Sequence, residues 1–214
     1  MSLEFVRELR DKTGAGLVDC QKALAEAGGD VDKALRVLRE KGLAKAAKKS
    51  GRAATDGAIG AYIHPGSKVG VLVEVNCETD FVAKTTEFQT LVKDLAMQVA
   101  AAAPRYVSRE DVPASEIDSE RAIYRKQAEA SGKPPQVIER IVDGQVERFY
   151  KDVCLLEQAF IKQSDRTIGD LVKEAIVRFG VNVAVRRFAR YQLGEMQERV
   201  GDGKEDAAGG TSGA

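Results

Sequence analysis

Apolar side chains recur at helical spacing through residues 1–42 and predict three short helices. Leu3, Val6 and Leu9 mark the first helix, with Ser2 placed to cap it. A cation followed by glycine, Lys41-Gly42, is typical of a helix end, so we expect the third helix to stop there. The apolar positions of the second and third helices are Leu17, Cys20, Leu24, Val31, Ala34, Leu35 and Leu38.

The apolar period changes to two after Asp56 and predicts a β-hairpin. Ile59, Ala61 and Ile63 alternate with smaller or polar residues, and valines alternate over 69–75, so the hairpin has one strongly apolar face. Residues 181–186 alternate in the same way. Because two strands alone are marginally stable, we expect this third segment to join the sheet.

Helical patterns fill the chain between the hairpin and the third strand. One covers 88–99, and 115–130 and 135–153 form a helical pair around a glycine–proline break. Thr167 is placed to cap a last helix. We therefore predict an α+β fold in which helices and a helical hairpin pack a three-stranded antiparallel sheet. The expected divisions are a helical domain (1–42), a basic linker (43–55), a core (56–195) and a disordered tail (196–214).

Charge and composition restrict the function classes. The 214 residues carry 33 basic and 33 acidic side chains, so the net charge is zero and no polyanionic partner is demanded. Residues 41–52 hold five cations and no acid, which indicates either a solvated helix or a basic arm. The charged start is unlike a signal peptide, and no apolar run approaches the roughly 20 residues that span a bilayer. We expect a cytoplasmic protein.

The residues that carry enzyme chemistry are sparse. Three cysteines lie far apart without metal-ligand spacing, and the one histidine, His64, lies in the hairpin turn. No phosphate-binding GxxxxGK[ST] or GxGxxG motif occurs. We therefore expect no enzyme activity, no cofactor and no metal site.

Two long motifs resemble the signatures of the bacterial elongation factor Ts family. They are LRDKTGAGLVDCQKAL at 9–24 and VNCETDFVA at 75–83, in that order. The resemblance extends over roughly residues 3–193. It implies that the first three helices form a domain similar to the ubiquitin-associated domain, and that the rest is a single α+β core module of the short, homodimeric form of the family.

The family resemblance also implies a function and a set of contact residues. The function is guanine-nucleotide exchange on elongation factor Tu, in which Phe81 acts as an apolar wedge in the GTPase domain and Asp80 competes for polar groups near Mg²⁺. His64 and the Phe179-Gly180 turn would support this contact from neighbouring loops. The full set of expected partner-binding residues is Thr79, Asp80, Phe81, Val82, His64, Phe179, Gly180, Arg10, Leu17 and Val18.

Two positions depart from the family pattern, and two other functions stay open. Gln21 stands where many members carry lysine, and Phe179 replaces an aliphatic residue. The alternatives are a nucleic-acid-binding helical module, which the basic stretch would serve, and an adaptor without exchange activity. The family resemblance favours elongation factor Tu as the partner, with no membrane and no direct nucleic-acid contact.

Overall fold

A computed structural model of the chain describes residues 3–13 and 15–195. The described helices are α1 (Leu3–Thr13), α2 (Leu17–Glu26), α3 (Val31–Lys49), α4 (Asp80–Ala83), α5 (Thr86–Ala102), α6 (Ala114–Glu129), α7 (Pro135–Val153) and α8 (Ile168–Phe179). The strands are β1 (Asp56–Ile63), β2 (Val69–Cys77), β3 (Ala159–Phe160), β4 (Gln163–Thr167) and β5 (Val183–Gln192). Ser2, the expected cap of α1, and the tail 196–214 lie outside the described residues.

Helices α1 and α2 and the first half of α3 enclose a small apolar core of their own. Asp30 caps α3 by accepting a hydrogen bond from the backbone N–H of Lys33 at 3.0 Å. The buried side chains are Val6, Leu9, Ala15, Cys20, Ala23, Leu24, Ala34 and Leu38. Leu17, which we placed on the apolar stripe of α2, is instead 49% exposed, because it is the first residue of the helix and lies at the edge of this core.

The predicted end of α3 at Gly42 is wrong, since the helix continues to Lys49. A Cβ atom on Gly42 would lie 3.3 Å from Cγ2 of Val177, so the glycine lets α3 pack closely on α8. Four residues later, Ala46 is buried in the larger core. Packing against α8 thus overrides the local end signal, and the helix crosses the boundary that we expected between the helical domain and the linker.

The three long strands form an antiparallel sheet in the order β1-β2-β5, as predicted. Asp56 pairs with Cys77 at one end of the hairpin and Ile63 with Gly70 at the other. The third strand begins at Val183 rather than at residue 181, and it continues to Gln192. The predicted apolar face is present on β2, where Val71, Val73 and Val75 are buried.

The side chains of Ile59, Ala61 and Ile63 lie on the outer face of the sheet and are exposed, contrary to the single apolar face that we predicted for the hairpin. The inner face of β1 carries Gly60 instead. A Cβ atom on Gly60 would lie 2.3 Å from Cγ1 of Val92, so α5 crosses β1 with no space for a side chain. Alternation alone does not tell which face a strand buries. In β1 the close approach of α5 at Gly60 determines which face is buried.

The larger core lies between the inner face of the sheet and helices α5 and α8. Helices α6 and α7 form the predicted helical hairpin, which has a small apolar cluster around Ile138 and Val142. Arg109 fixes the base of this hairpin by bonding the carboxylates of Glu147 and Glu157, each at 2.8–2.9 Å. The short β3–β4 pair and the helix α4 were not predicted from the sequence.

The α+β fold class is confirmed by this arrangement of helices and a three-stranded antiparallel sheet. In the part of the chain that the structure describes, no helix is both long enough and apolar enough to cross a membrane. The similarity of the first three helices to a ubiquitin-associated domain stays a prediction, as do the domain boundaries.

Candidate functional site

Phe81 lies on the short helix α4, directly after the second sheet strand. Thr79 caps this helix by accepting a hydrogen bond from the backbone N–H of Val82 at 3.4 Å. Val82 packs against the large core and Ala83 is buried in it, so the inner side of the helix is anchored. The ring of Phe81 therefore points outward.

The exposed fraction of Phe81 is 81%, higher than the 76% of Leu193 and the 70% of Ile59. An aromatic ring that stays in water forgoes the free energy of burial, which it can gain when a partner covers it. The exposure excludes a position for the ring in the core, although Phe81 does lie in the first turn of a helix.

Asp80 precedes the ring and begins α4. Its Oδ2 atom accepts a hydrogen bond from Nζ of Lys84 at 2.7 Å, and this bond holds the pKa of the carboxyl group below its ordinary value. The carboxylate also lies in the first helical turn, where a negative charge is favoured. The group is exposed and ionised at neutral pH, so it is accessible to a partner.

The Phe179-Gly180 turn ends α8. Gly180 has a φ of 72°, and its carbonyl oxygen accepts a hydrogen bond from Nζ of Lys49 at 2.5 Å. The ring of Phe179 is half-buried and lies 6.1 Å from the ring of Phe88 between centroids. The core thus holds much of the Phe179 side chain, which leaves the exposed Gly180 backbone as the accessible part of the turn.

The turn after α8 lies next to the segment that carries Phe81. Val183 pairs with Cys77 in the sheet, and the backbone N–H of Asn182 donates to Oε1 of Glu78 at 2.6 Å. Glu78 and Asn182 were not among our candidate residues, although Glu78 lies inside the motif at 75–83 and Asn182 follows the Phe179-Gly180 turn by two residues. Their contact joins positions 104 residues apart, which no local sequence pattern reveals.

The structure does not bring His64 to Phe81 within one chain. His64 is the residue after Ile63, at the tip of the hairpin. Phe81 lies four residues after Cys77, at the opposite end of the hairpin. Seven residues of strand separate the two ends, which is about 23 Å at the usual rise per residue. The imidazole Nδ1 atom lies 3.1 Å from the hydroxyl of Tyr62. Our expectation of neighbouring loops is therefore met by the Phe179-Gly180 turn and not by His64.

Arg10, Leu17 and Val18 lie on the surface of the helical domain. Leu17 and Val18 begin α2 and are 49% and 59% exposed. Adjacent helical residues cannot both face one small core. Arg10 is exposed in the last turn of α1. The three residues therefore offer an apolar pair and a cation that are free of the domain's core.

Comparison with known proteins identifies the group to which this surface belongs. A family model described as Elongation factor TS matches residues 22–195. The protein named Elongation factor Ts from Carboxydothermus hydrogenoformans is 58% identical over 192 residues, which cover 90% of this chain and 88% of the relative. This chain belongs to the elongation factor Ts family.

Other relatives support the same assignment. The Elongation factor Ts of Desulforamulus reducens is 55% identical over 202 residues, covering 94% of this chain and 93% of the relative. That of Geobacter metallireducens is 58% identical over 190 residues, covering 89% and 88%. The resemblance that we inferred from the two motifs is confirmed. The elongation factor Ts family model includes the sequence from His64 to Gly180, whereas Arg10, Leu17 and Val18 precede its match.

The three cysteine thiols of this family member are placed for packing. Cys20, Cys77 and Cys154 are free and buried. Burial raises the pKa of Cys20 and Cys77, and it raises the pKa of Cys154 to about 11. Thiolates are therefore disfavoured at neutral pH, which argues against their use as nucleophiles. Among residues 3–13 and 15–195, no three metal-ligating side chains of the types His, Cys, Asp or Glu lie close enough to hold an ion.

The basic stretch at the end of α3 makes contacts within the chain. Lys41 pairs with Glu26, Lys49 bonds the carbonyl of Gly180, and Arg52 lies 3.7 Å from the carboxylate of Glu78. Three of its cations thus contact acceptors of this chain. This arrangement favours a structural helix over a nucleic-acid-binding arm.

Proposed function

We propose that this member of the elongation factor Ts family is a guanine-nucleotide exchange factor for elongation factor Tu. It binds the Tu–GDP complex, disturbs the Mg²⁺ and phosphate site, and promotes release of GDP during translation elongation in the cytoplasm. The observation that carries this proposal is the ring of Phe81, which stands 81% exposed on an anchored and capped helical turn.

The energetic requirement for exchange is modest. An exchange factor and GDP must weaken each other's binding to the GTPase, and this weakening is reciprocal. A tenfold mutual weakening requires about 1.4 kcal/mol of coupling free energy. Full burial of one phenylalanine side chain contributes about 1.5–3 kcal/mol. The burial free energy of one ring, gained only in the nucleotide-free state, is therefore large enough to supply this coupling free energy.

The residues next to Phe81 hold its ring in place and add a charged group beside it. Thr79 and Val82 hold the helical turn that carries the ring. When the ring inserts between packed helices, the surrounding backbone of the partner has to shift, because cores tolerate added volume poorly. Asp80 brings an ionised carboxylate to the same place, where it competes for the polar groups that order the metal. No cofactor or metal of the exchange factor takes part.

Two further surfaces of this chain complete the proposed contact. Gly180 offers exposed backbone beside the Phe81 segment, with Phe179 fixed behind it. Arg10, Leu17 and Val18 bind the same GTPase domain from the helical domain, where the apolar pair lies open to solvent.

We also propose that the chain forms a homodimer through the outer face of its sheet. This face is unusually apolar for a surface, since Ile59, Ile63, Leu72 and Tyr191 are 50–70% exposed, and Leu193 follows at 76%. Burying such a patch against a second copy removes it from water. A dimer also offers a role for His64, because the second subunit then presents its hairpin tip to the same elongation factor Tu molecule.

Release of fluorescent GDP from elongation factor Tu tests the exchange function. The wild-type chain should accelerate release, and Phe81→Ala should lower the maximal rate about tenfold or more, as expected from the loss of a buried aromatic contact. Ile161→Ala is the matched control, because this residue is 47% exposed and lies in the turn that joins β3 to β4, away from the Phe81 segment.

Each possible outcome of the release assay separates the alternatives. No acceleration by saturating wild-type protein would remove the exchange function and leave an adaptor. Acceleration that survives Phe81→Ala unchanged would remove the wedge alone. Salt-dependent binding to RNA or DNA without exchange would instead support a nucleic-acid-binding module.

A further inference from the structure

We infer that Glu78 and Asn182 are positioning residues for exchange, and we name their contacts the 78–182 latch. The latch joins the segment that carries Phe81, the turn after α8 and the end of α3 into one rigid unit. This inference rests on the proposed exchange function, and it assigns to Glu78 and Asn182 a role in orienting two partner-binding surfaces toward each other.

The latch consists of hydrogen bonds that converge on one buried residue, Asn182. The backbone N–H of Asn182 donates to Oε1 of Glu78 at 2.6 Å. The Nδ2 atom of the same asparagine donates to the carbonyl oxygens of Ser50 at 3.2 Å and Arg52 at 2.7 Å. A single residue therefore contacts the segment after α3 and the segment before α4.

Because Asn182 and Glu78 are shielded from water, loss of these hydrogen bonds is costly. Asn182 is only 3% exposed, and the side chain of Glu78 is 21% exposed. A polar group that loses its partner in such surroundings cannot regain it from bulk water without local opening of the structure. The bonded arrangement is accordingly strongly preferred over a loosened one.

Two cations reinforce the latch from outside. Arg52 places its guanidinium 3.7 Å from the carboxylate of Glu78, and Lys49 donates to the carbonyl oxygen of Gly180. Both cations lie at or just after the end of α3. The end of α3 thus contacts both the segment before Phe81, through Glu78, and the turn after α8, through Gly180.

The functional consequence follows from the position of the two surfaces. Phe81 lies three residues after Glu78, whereas the helix that carries Leu17 and Val18 packs on α3, which in turn packs on α8. Both surfaces are proposed to contact one GTPase domain. If their relative orientation is held before binding, the partner does not have to order them, and more of the contact energy is available to insert the ring.

A double-mutant cycle between Asn182 and Phe81 tests the latch. At saturating concentration, Asn182→Ala should lower the maximal rate of GDP release from elongation factor Tu about tenfold. In the Phe81→Ala background the same substitution should cost less than about twofold, because its effect acts through the ring. The concentration of factor at half-maximal rate should change less than the maximal rate does.

Gln98→Ala is the matched control for general loss of stability. Gln98 is also a fully buried amide with three hydrogen bonds, to Gln158, the carbonyl of Ala159 and the N–H of Ile161, and it lies outside the latch. This variant should lower the melting temperature yet keep the maximal rate per folded molecule. Equal rates for Asn182→Ala and wild type, or fully additive losses in the cycle, would overturn the latch.

A second pair of variants serves if Asn182→Ala does not fold. Glu78→Gln keeps an acceptor for the N–H of Asn182, whereas Glu78→Ala removes it. We expect Glu78→Gln to retain at least about half of the wild-type maximal rate and Glu78→Ala to lose about tenfold. Identical rates for these two variants would contradict the inference. Failure of the wild-type chain itself to accelerate release would instead reject the exchange function.

Discussion

The Nζ atom of Lys84 donates a hydrogen bond to Oδ2 of Asp80 at 2.7 Å, one helical turn away. The pair flanks the exposed ring of Phe81, since Asp80 begins the short helix α4 and Lys84 directly follows its last residue. It fixes the carboxylate on the surface of this chain, so a partner that uses the carboxylate has to compete with the ammonium group.

Replacement of Lys84 by methionine should return the pKa of Asp80 toward its ordinary value. The folded-state pKa is lowered, so the contribution of the pair to stability is present above the unfolded-state pKa of about 4 and is lost as the pH falls through the folded-state value. Carboxyl chemical shifts followed by NMR across this pH range measure the change. An Asp80 pKa that is unaltered in Lys84→Met would contradict the assignment of its cause.

The sequence indicated candidate residues around Phe81, but it did not indicate the long-range contacts that connect them. The motif at 75–83 indicated Thr79, Asp80 and Phe81, and the structure places the ring on the surface. The partners of Asn182 could not be predicted, because they lie 104 to 132 residues away in the chain. Which segments meet is decided by the packing of the whole core rather than by local pattern.

The two fold errors at Gly42 and Ile59 have a common physical origin. At Gly42 a valid local signal for a helix end was overridden by packing against Val177. At Ile59 the alternation was correct, but the close approach of α5 to Gly60 directs the opposite face inward. Local preferences amount to about 1 kcal/mol per residue, and the burial of several side chains exceeds them.

Substitution of Gly42 by leucine should destabilise the fold, because α3 then cannot approach α8 at its present distance. A Cβ atom at this position already lies 3.3 Å from Val177, and a larger side chain forces the helices apart. We expect a loss of about 1–3 kcal/mol in the free energy of unfolding, measured by urea denaturation.

Gly144→Leu is the matched control for the Gly42 substitution. Gly144 is also inside a helix, but a Cβ atom there has no neighbour within 4 Å. Replacement of this glycine should raise the free energy of unfolding by up to about 1 kcal/mol through helix propensity. If both variants were stabilised alike, the close contact between α3 and α8 would be disproved.

Leu72→Lys should convert the proposed homodimer into monomers. Leu72 lies at the centre of the outer sheet face, where it pairs with Ala61 on one side and Ala189 on the other, and it is 50% exposed. In a two-fold symmetric interface a lysine at this position is buried twice, at high desolvation cost. Sedimentation equilibrium should report the mass of two chains for wild type and of one chain for the variant. Ile161→Lys, in the turn that joins β3 to β4, should leave the mass unchanged.

Mixed dimers test whether one partner molecule is contacted by two subunits. Phe81 and His64 lie at opposite ends of the hairpin, about 23 Å apart along the strand direction. If one subunit supplies Phe81 and the other supplies His64, every site in a Phe81→Ala dimer or in a His64→Ala dimer carries one defect. Co-refolding of the two variants produces mixed dimers in which one of the two sites is intact.

Random mixing makes half of the dimers mixed, so about a quarter of all sites should regain both residues, as expected when two subunits associate symmetrically. The maximal rate of GDP release should then rise to about a quarter of the wild-type rate, above that of either variant alone. No such gain is expected if both residues act from one subunit, since every site would still lack Phe81 or His64. An increase that also occurs when Leu72→Lys is present in both chains would show that the gain does not depend on the sheet interface.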